Sequence, residues 1–128
     1  MANTTTQKTS IEVEEVRPIT ITDTETGDKY ILEFNAESVK FAEARGFDVD
    51  DIGKYPMALI PELFYYAFRM HHKHLPKEKV MKIYDFIYDN GGFPEKFVQR
   101  LKELYLIPLT KMFDYDNKSK NSRMTVEL

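Results

Sequence analysis

The densest run of chemically capable side chains in the chain is His71-His72-Lys73-His74. His71 and His74 stand three residues apart, so on a helix they share a face, as paired metal ligands do. A third ligand would have to come from elsewhere, because no HExxH pattern is present. The competing explanation is electrostatic. Cationic side chains at a helix C-terminus sit favourably against the negative end of the helix dipole. The spacing favours this second explanation, since neither a third ligand nor an outer hydrogen-bonding shell can be identified.

The carboxylates fall into three clusters, Glu14-Glu15, Asp48 with Asp50-Asp51, and Asp114 with Asp116. All lie in loops or at element ends, where capping and solvation explain them. A carboxylate acid/base pair needs two carboxyls in contrasting environments, and no such pair can be picked out. DVDDIG, residues 48–53, resembles a calcium loop only faintly, lacking the twelve-residue spacing and the terminal Glu. Gly91-Gly92 follows a helical pattern, so it marks a C-terminus and not a phosphate cradle. There is no G-x-S-x-G elbow. The chain contains no cysteine, which removes disulfides, thiolate nucleophiles and Cys-ligated zinc and fits a reducing cytoplasm. The expectation is a non-enzymatic protein with no cofactor and no metal site.

Composition points the same way. The 128 residues suit one domain with one core. Net charge is −3 with acids and bases interleaved, so no basic block suggests a nucleic-acid partner. The N-terminal MANTTTQKTS has no apolar stretch of a Sec-type signal, and the longest apolar run is far short of a membrane span. Aromatics are abundant, with nine Phe and eight Tyr but no Trp. They can build a core from few residues or anchor an interface.

The elements that would position these residues are readable in order. Residues 1–10 are polar and Thr-rich and are expected to form a flexible arm, residues 11–116 a single α+β domain, and residues 117–128 a polar tail. Ile11–Val16 and Pro18–Thr22 alternate, with Ile19 and Ile21 opposite Thr20 and Thr22. Tyr30, Leu32 and Phe34 alternate beyond the turn cluster 23–28. Gly27 in that cluster can take positive φ, and the whole predicts a β-hairpin with Pro18 at an edge or bulge. Asn35 should cap a short helix over Ala36–Arg45, closed by Gly46, with Val39 and Ala42 facing inward. Phe47–Tyr55 reads as a loop with one helical turn.

The central stretch, PMALIPELFYYAFRMHHKH (residues 56–74), has a thin polar stripe of Glu62, Arg69 and Lys73. Almost every other position from Met57 to Met70 is apolar or aromatic. Pro56 suits a first turn, and Pro61 predicts a kink or a restart. A third helix spans Lys77–Tyr88 with Val80, Ile83, Tyr84 and Ile87 on one face, Met81 and Phe86 off it, and Asp89-Asn90-Gly91-Gly92 as its stop. The last helix follows Phe93-Pro94-Glu95, with Phe97, Val98, Leu101, Leu104, Tyr105 and Met112 on one face and a kink at Pro108. Met124–Leu128 alternates and reads either as a short terminal strand or as a tail. The fold class is therefore α+β: an N-terminal β-hairpin, a bundle of about four helices, and an optional C-terminal strand.

Four apolar side chains stand out as candidates for a partner-binding patch: Tyr65 and Tyr66, beside the polar stripe, and Leu106 and Ile107, off the last helix's core stripe. The alternative is that the tyrosines complete a two-sided core. A client helix would lie in a groove between the central and last helices.

Four segments carry a family resemblance: TDTETGDKYILEFNAESVKFAEARGFDVDDI, KYPMALIPELFYYAFRMHHK, GGFPEKFVQRLKELYLIPL and NSRMTVEL. Over about Ile19–Leu128 the chain resembles the small tail assembly chaperones of siphophages that infect Gram-positive hosts. The resemblance implies a non-catalytic chaperone in the host cell cytoplasm, absent from the finished virion. It would bind the tape measure protein, assist tail tube assembly, and exist in some systems also as a longer frameshifted form. Its partners would be the tape measure and tail tube proteins, with no nucleic acid or membrane, and self-association stays open. Two alternatives are a structural head–tail or tail completion component forming an oligomer, and a small phage regulator that binds a host protein.

Overall fold

The computed structural model describes residues 16–113, 123–124 and 127–128. The N-terminal arm, most of the Ile11–Val16 run, and most of the tail lie outside the described residues. So do Thr125 and Val126 of the terminal alternating segment. The described architecture is a two-stranded antiparallel hairpin followed by four α-helices, an α+β fold as the patterning predicts.

Strands β1 (Ile19–Thr22) and β2 (Lys29–Leu32) pair with Ile19 opposite Leu32 and Ile21 opposite Tyr30. The period of two sends these four side chains to the core side and leaves Thr20, Thr22 and Lys29 in water. Pro18, which has no N–H to donate, sits just before the ladder. The connecting turn is organised by Asp23. Its carboxylate accepts the Glu25 and Thr26 N–H groups at 2.9 and 3.3 Å, and its carbonyl accepts the Gly27 N–H at 2.7 Å. Gly27 takes φ 84°.

Helix α1 (Ala36–Ala44) begins at a reciprocal cap. Asn35 Oδ1 accepts the Ser38 N–H at 2.8 Å, and Ser38 Oγ accepts the Asn35 N–H at 2.9 Å. It ends in a Schellman motif at Gly46 (φ 83°), where the Phe47 N–H reaches the Ala42 carbonyl. A 3₁₀ turn, Val49–Gly53, capped by Asp48, buries Ile52.

Helix α2 (Pro56–Ala67) runs unbroken through Pro61, so of the expected kink or restart the restart does not occur, and it ends earlier than its apolar pattern suggests. Pro61 neither restarts nor ends it. The donor that Pro61 lacks would have served the Met57 carbonyl, which lies in an exposed first turn where water can take its place. The helix also stops at Ala67, seven residues before His74. Two i→i−3 bonds, from Phe68 N–H to Tyr65 and from Arg69 N–H to Tyr66, tighten its last turn, and the Glu33 N–H takes the Ala67 carbonyl at 3.1 Å. The strand exit thus caps the helix, and His71–His74 fall in the turns beyond it.

Helices α3 (Lys77–Asp89) and α4 (Phe97–Thr110) complete the bundle. Asn90, Gly91 and Gly92 end α3, with the Gly92 N–H on the Ile87 carbonyl at 2.9 Å. Pro108 lies inside α4, and a 3₁₀ turn over Lys111–Phe113 follows. Met112 is therefore not on the core face as its spacing predicts. The change of helical pitch rotates it into solvent, where it is 68 % exposed.

The core is centred on α2, which packs against α1, α3, α4 and the 3₁₀ turn. Phe64 is its hub, fully buried and in ring contact with Phe68, Tyr84, Phe93 and Phe97 at centroid separations of 5.1–6.1 Å. Each such pair adds about 0.5–1.5 kcal/mol beyond its buried area. Phe34, Phe47 and Tyr105 extend the aromatic network toward α1.

Candidate partner-binding groove

His71 and His72 face the hairpin. His71 Nε2 lies 2.7 Å from Glu33 Oε1, and His72 Nε2 accepts the Ile31 N–H at 2.9 Å. The His72 ring stands edge-on to Tyr30 at 5.6 Å and tilted against Phe68 at 5.9 Å. Burial first, then the neighbouring His71 and His74, hold His72 below the usual histidine range. Its ring nitrogen is thus an acceptor that satisfies the outer edge of β2. No group of three His, Cys, Asp or Glu side chains able to hold a metal occurs among the described residues. The two histidines, with Glu33 N–H on Ala67, fasten the hairpin to the end of α2. Residue spacing cannot show this role, because the partners lie about forty positions away.

Two members of the polar stripe, Glu62 and Arg69, are likewise engaged. Glu62 pairs with Lys77 at 3.1 Å, and Arg69 pairs with Glu37 at 2.8 Å. The Arg69 hydrogen bond lowers the Glu37 carboxyl below its usual range. The guanidinium groups of Arg45 and Arg69 lie over the Phe41 ring at 3.6 and 3.7 Å. These residues staple α1 and α3 to the central helix.

The four candidate interface residues differ widely in exposure. Tyr66 is only 4 % exposed, enclosed by Phe41, Phe47 and Tyr65, and is a core residue. Burial, followed by the Glu62 carboxylate, raises its phenol. Tyr65 is half-buried under Lys77, whose ammonium sits 5.2 Å from the ring. Ile107 is half-buried against the core, and Leu106 is the exposed member at 42 %. Among the described residues, the seam between the central and last helices is packed rather than open. Leu63, Phe64, Leu101, Leu104 and Tyr105 close that seam with essentially no exposure, and burial drives the Tyr105 phenol up to about 12. The pattern of α2 had two uses open to it, and the core has taken most of its circumference.

An open groove of about 530 Å³ lies instead between the hairpin and α3. The hairpin wall is Ile21, Thr22 and Tyr30, with Asp23, Thr24 and Glu25 at the turn. The helix wall is Lys79, Lys82, Ile83, Phe86 and Ile87. Those five positions follow i, i+3, i+4, i+7, i+8, one stripe of an α-helix. Val80 and Tyr84, on the adjacent stripe, hold α3 to the core. Ile83 therefore serves both the core and the groove, Ile87 is a half-buried lining residue, and Phe86 is 68 % exposed at the groove's edge. The sequence signal was Phe86, a large aromatic off the core stripe, one and two helical turns after Lys82 and Lys79. Its hairpin counterpart has no local signal.

An α+β domain with a hairpin tip standing beside an incompletely covered helix is the class that fold and groove define. By comparison with known families, the chain belongs to the domain of unknown function DUF5055, whose family model matches residues 1–128. No curated protein and no solved structure matches it. No helix among the described residues is long and apolar enough to cross a membrane.

Proposed function

We propose that this domain is a phage tail assembly chaperone: a non-catalytic protein that binds the tape measure protein, keeps it soluble in the host cell cytoplasm and assists tail tube assembly. The observation that carries the reading is the hairpin–α3 groove, with an apolar floor, an exposed Phe86 and a helical stripe along one wall. Such a trough suits an elongated client whose own helices expose apolar faces, by helix-in-groove binding. The sequence resemblance supplies the identity of that client. The groove supports recognition through surface complementarity, and the resemblance adds tail tube protein as a second partner, without membrane or nucleic acid, to the proposal.

Co-expression with the tape measure protein of the same phage tests this. The expected result is a shift of tape measure protein from the insoluble to the soluble fraction, together with absence of the domain from purified particles. An unchanged insoluble fraction, or stoichiometric presence in virions, contradicts the reading.

A further inference from the structure

The two walls of the groove carry opposite charge. Asp23 and Glu25 line the hairpin side, and Lys79 and Lys82 line the helix side, all four exposed. Glu25 and Lys79 make no ion pair among the described residues, and Lys82 has only the loose i,i+4 contact to Glu78 at 3.9 Å. The same two walls contribute apolar lining, Ile21 and Tyr30 from the hairpin and Ile83 and Ile87 from the helix. The α3 stripe from Lys79 to Ile87 runs for roughly 12 Å at 1.5 Å per residue, a straight seam of the kind that a second helix packs along.

From this polarity we infer that the groove takes an amphipathic helix with one acidic and one basic flank, and that the charges fix the direction in which it lies. The basic flank faces Asp23 and Glu25, and the acidic flank faces Lys79 and Lys82. A helix turned end for end would place like charges against both walls. A helix with two acidic or two basic flanks meets one repulsive wall in either direction. The inference rests on reading the groove as the docking site of a helical client, and it adds a rule for which client helices bind.

Three synthetic peptides of about 18 residues, long enough to hold a helix, provide the probe. All carry the same leucine stripe. One has a Glu flank and a Lys flank, one is Glu on both sides, and one is Lys on both sides. In fluorescence anisotropy at low salt, the mixed peptide should bind about tenfold more tightly than either uniform one, the combined effect of several exposed charge pairs. The difference should shrink as salt is raised. In Lys79→Glu/Lys82→Glu the preference should move to the all-Lys peptide, and in Glu25→Lys it should move toward the all-Glu peptide. All three substitutions are at exposed positions, and unchanged thermal melting verifies the fold. Equal binding of the three peptides, or an unaltered ranking in the charge-reversed variants, overturns the charge rule. Tape measure protein that is still solubilised in that case leaves the chaperone reading standing. Binding of a fluorescent fatty acid with no binding of any peptide overturns the helix as occupant.

Discussion

At the scale of single residues, His72 has the clearest chemical consequence. Only a neutral imidazole can accept the Ile31 N–H, and the folded state holds His72 below the ordinary value of 6.5. The neutral form is therefore favoured on folding. Its contribution is fully present above pH 6.5 and is lost as pH falls from there through the lowered folded value. Denaturation at pH 7.5 and at pH 5.5 should show a less stable protein at the lower pH. His72→Phe should be about 1 kcal/mol less stable at pH 7.5, through the unpaired Ile31 donor, and should show a smaller pH dependence. Identical pH dependences in the two proteins would contradict this role. The interface candidates separate just as sharply. Tyr66→Ala should cost about 3–5 kcal/mol, as large aromatic truncations in cores do. Leu106→Ala should stay within about 0.5 kcal/mol. Urea denaturation of the two variants tests both placements.

At the scale of elements, what was legible was local. Alternation gave the hairpin, and Asn35, Gly46 and the Asn90-Gly91-Gly92 stop gave helix ends, because each of these signals acts within a few residues of itself. The cap of α1 illustrates this. Asn35→Ala removes an acceptor for the Ser38 N–H and should lower stability by about 1 kcal/mol, read as a shift in the urea midpoint with unchanged slope. What was not legible depended on distant partners. The apolar run past Ala67 has helical spacing, yet the Glu33 N–H occupies the Ala67 carbonyl and His72 turns toward β2. Met112 is in phase with Leu101 and Leu104, but the pitch changes after Pro108. For Tyr66 the sequence left patch and core both open, because Phe47, which covers it, arrives from a loop nineteen positions earlier. The groove was hidden for the same reason, since it is a space between non-consecutive elements and no single stretch encodes it.

At the scale of the whole molecule, the four helices share one aromatic core and the hairpin is an attachment to it. Leu32 and the Tyr30–Phe68 contact anchor its base, and the His71, His72 and Glu33 contacts tie β2 to the end of α2. The turn at residues 23–28 projects beyond that fastening and forms one wall of the groove. On the proposed reading, binding falls where the core is incomplete, while α2, the most apolar element, holds the fold. Amide and methyl NMR shift mapping with a helical segment of the tape measure protein tests that division most directly, and the 128-residue chain is small enough for it. The largest shifts should fall on Ile21, Thr24, Ile83, Phe86 and Ile87. Shifts centred instead on Leu106 and Ile107, or absent from the hairpin turn and α3 altogether, would contradict the account.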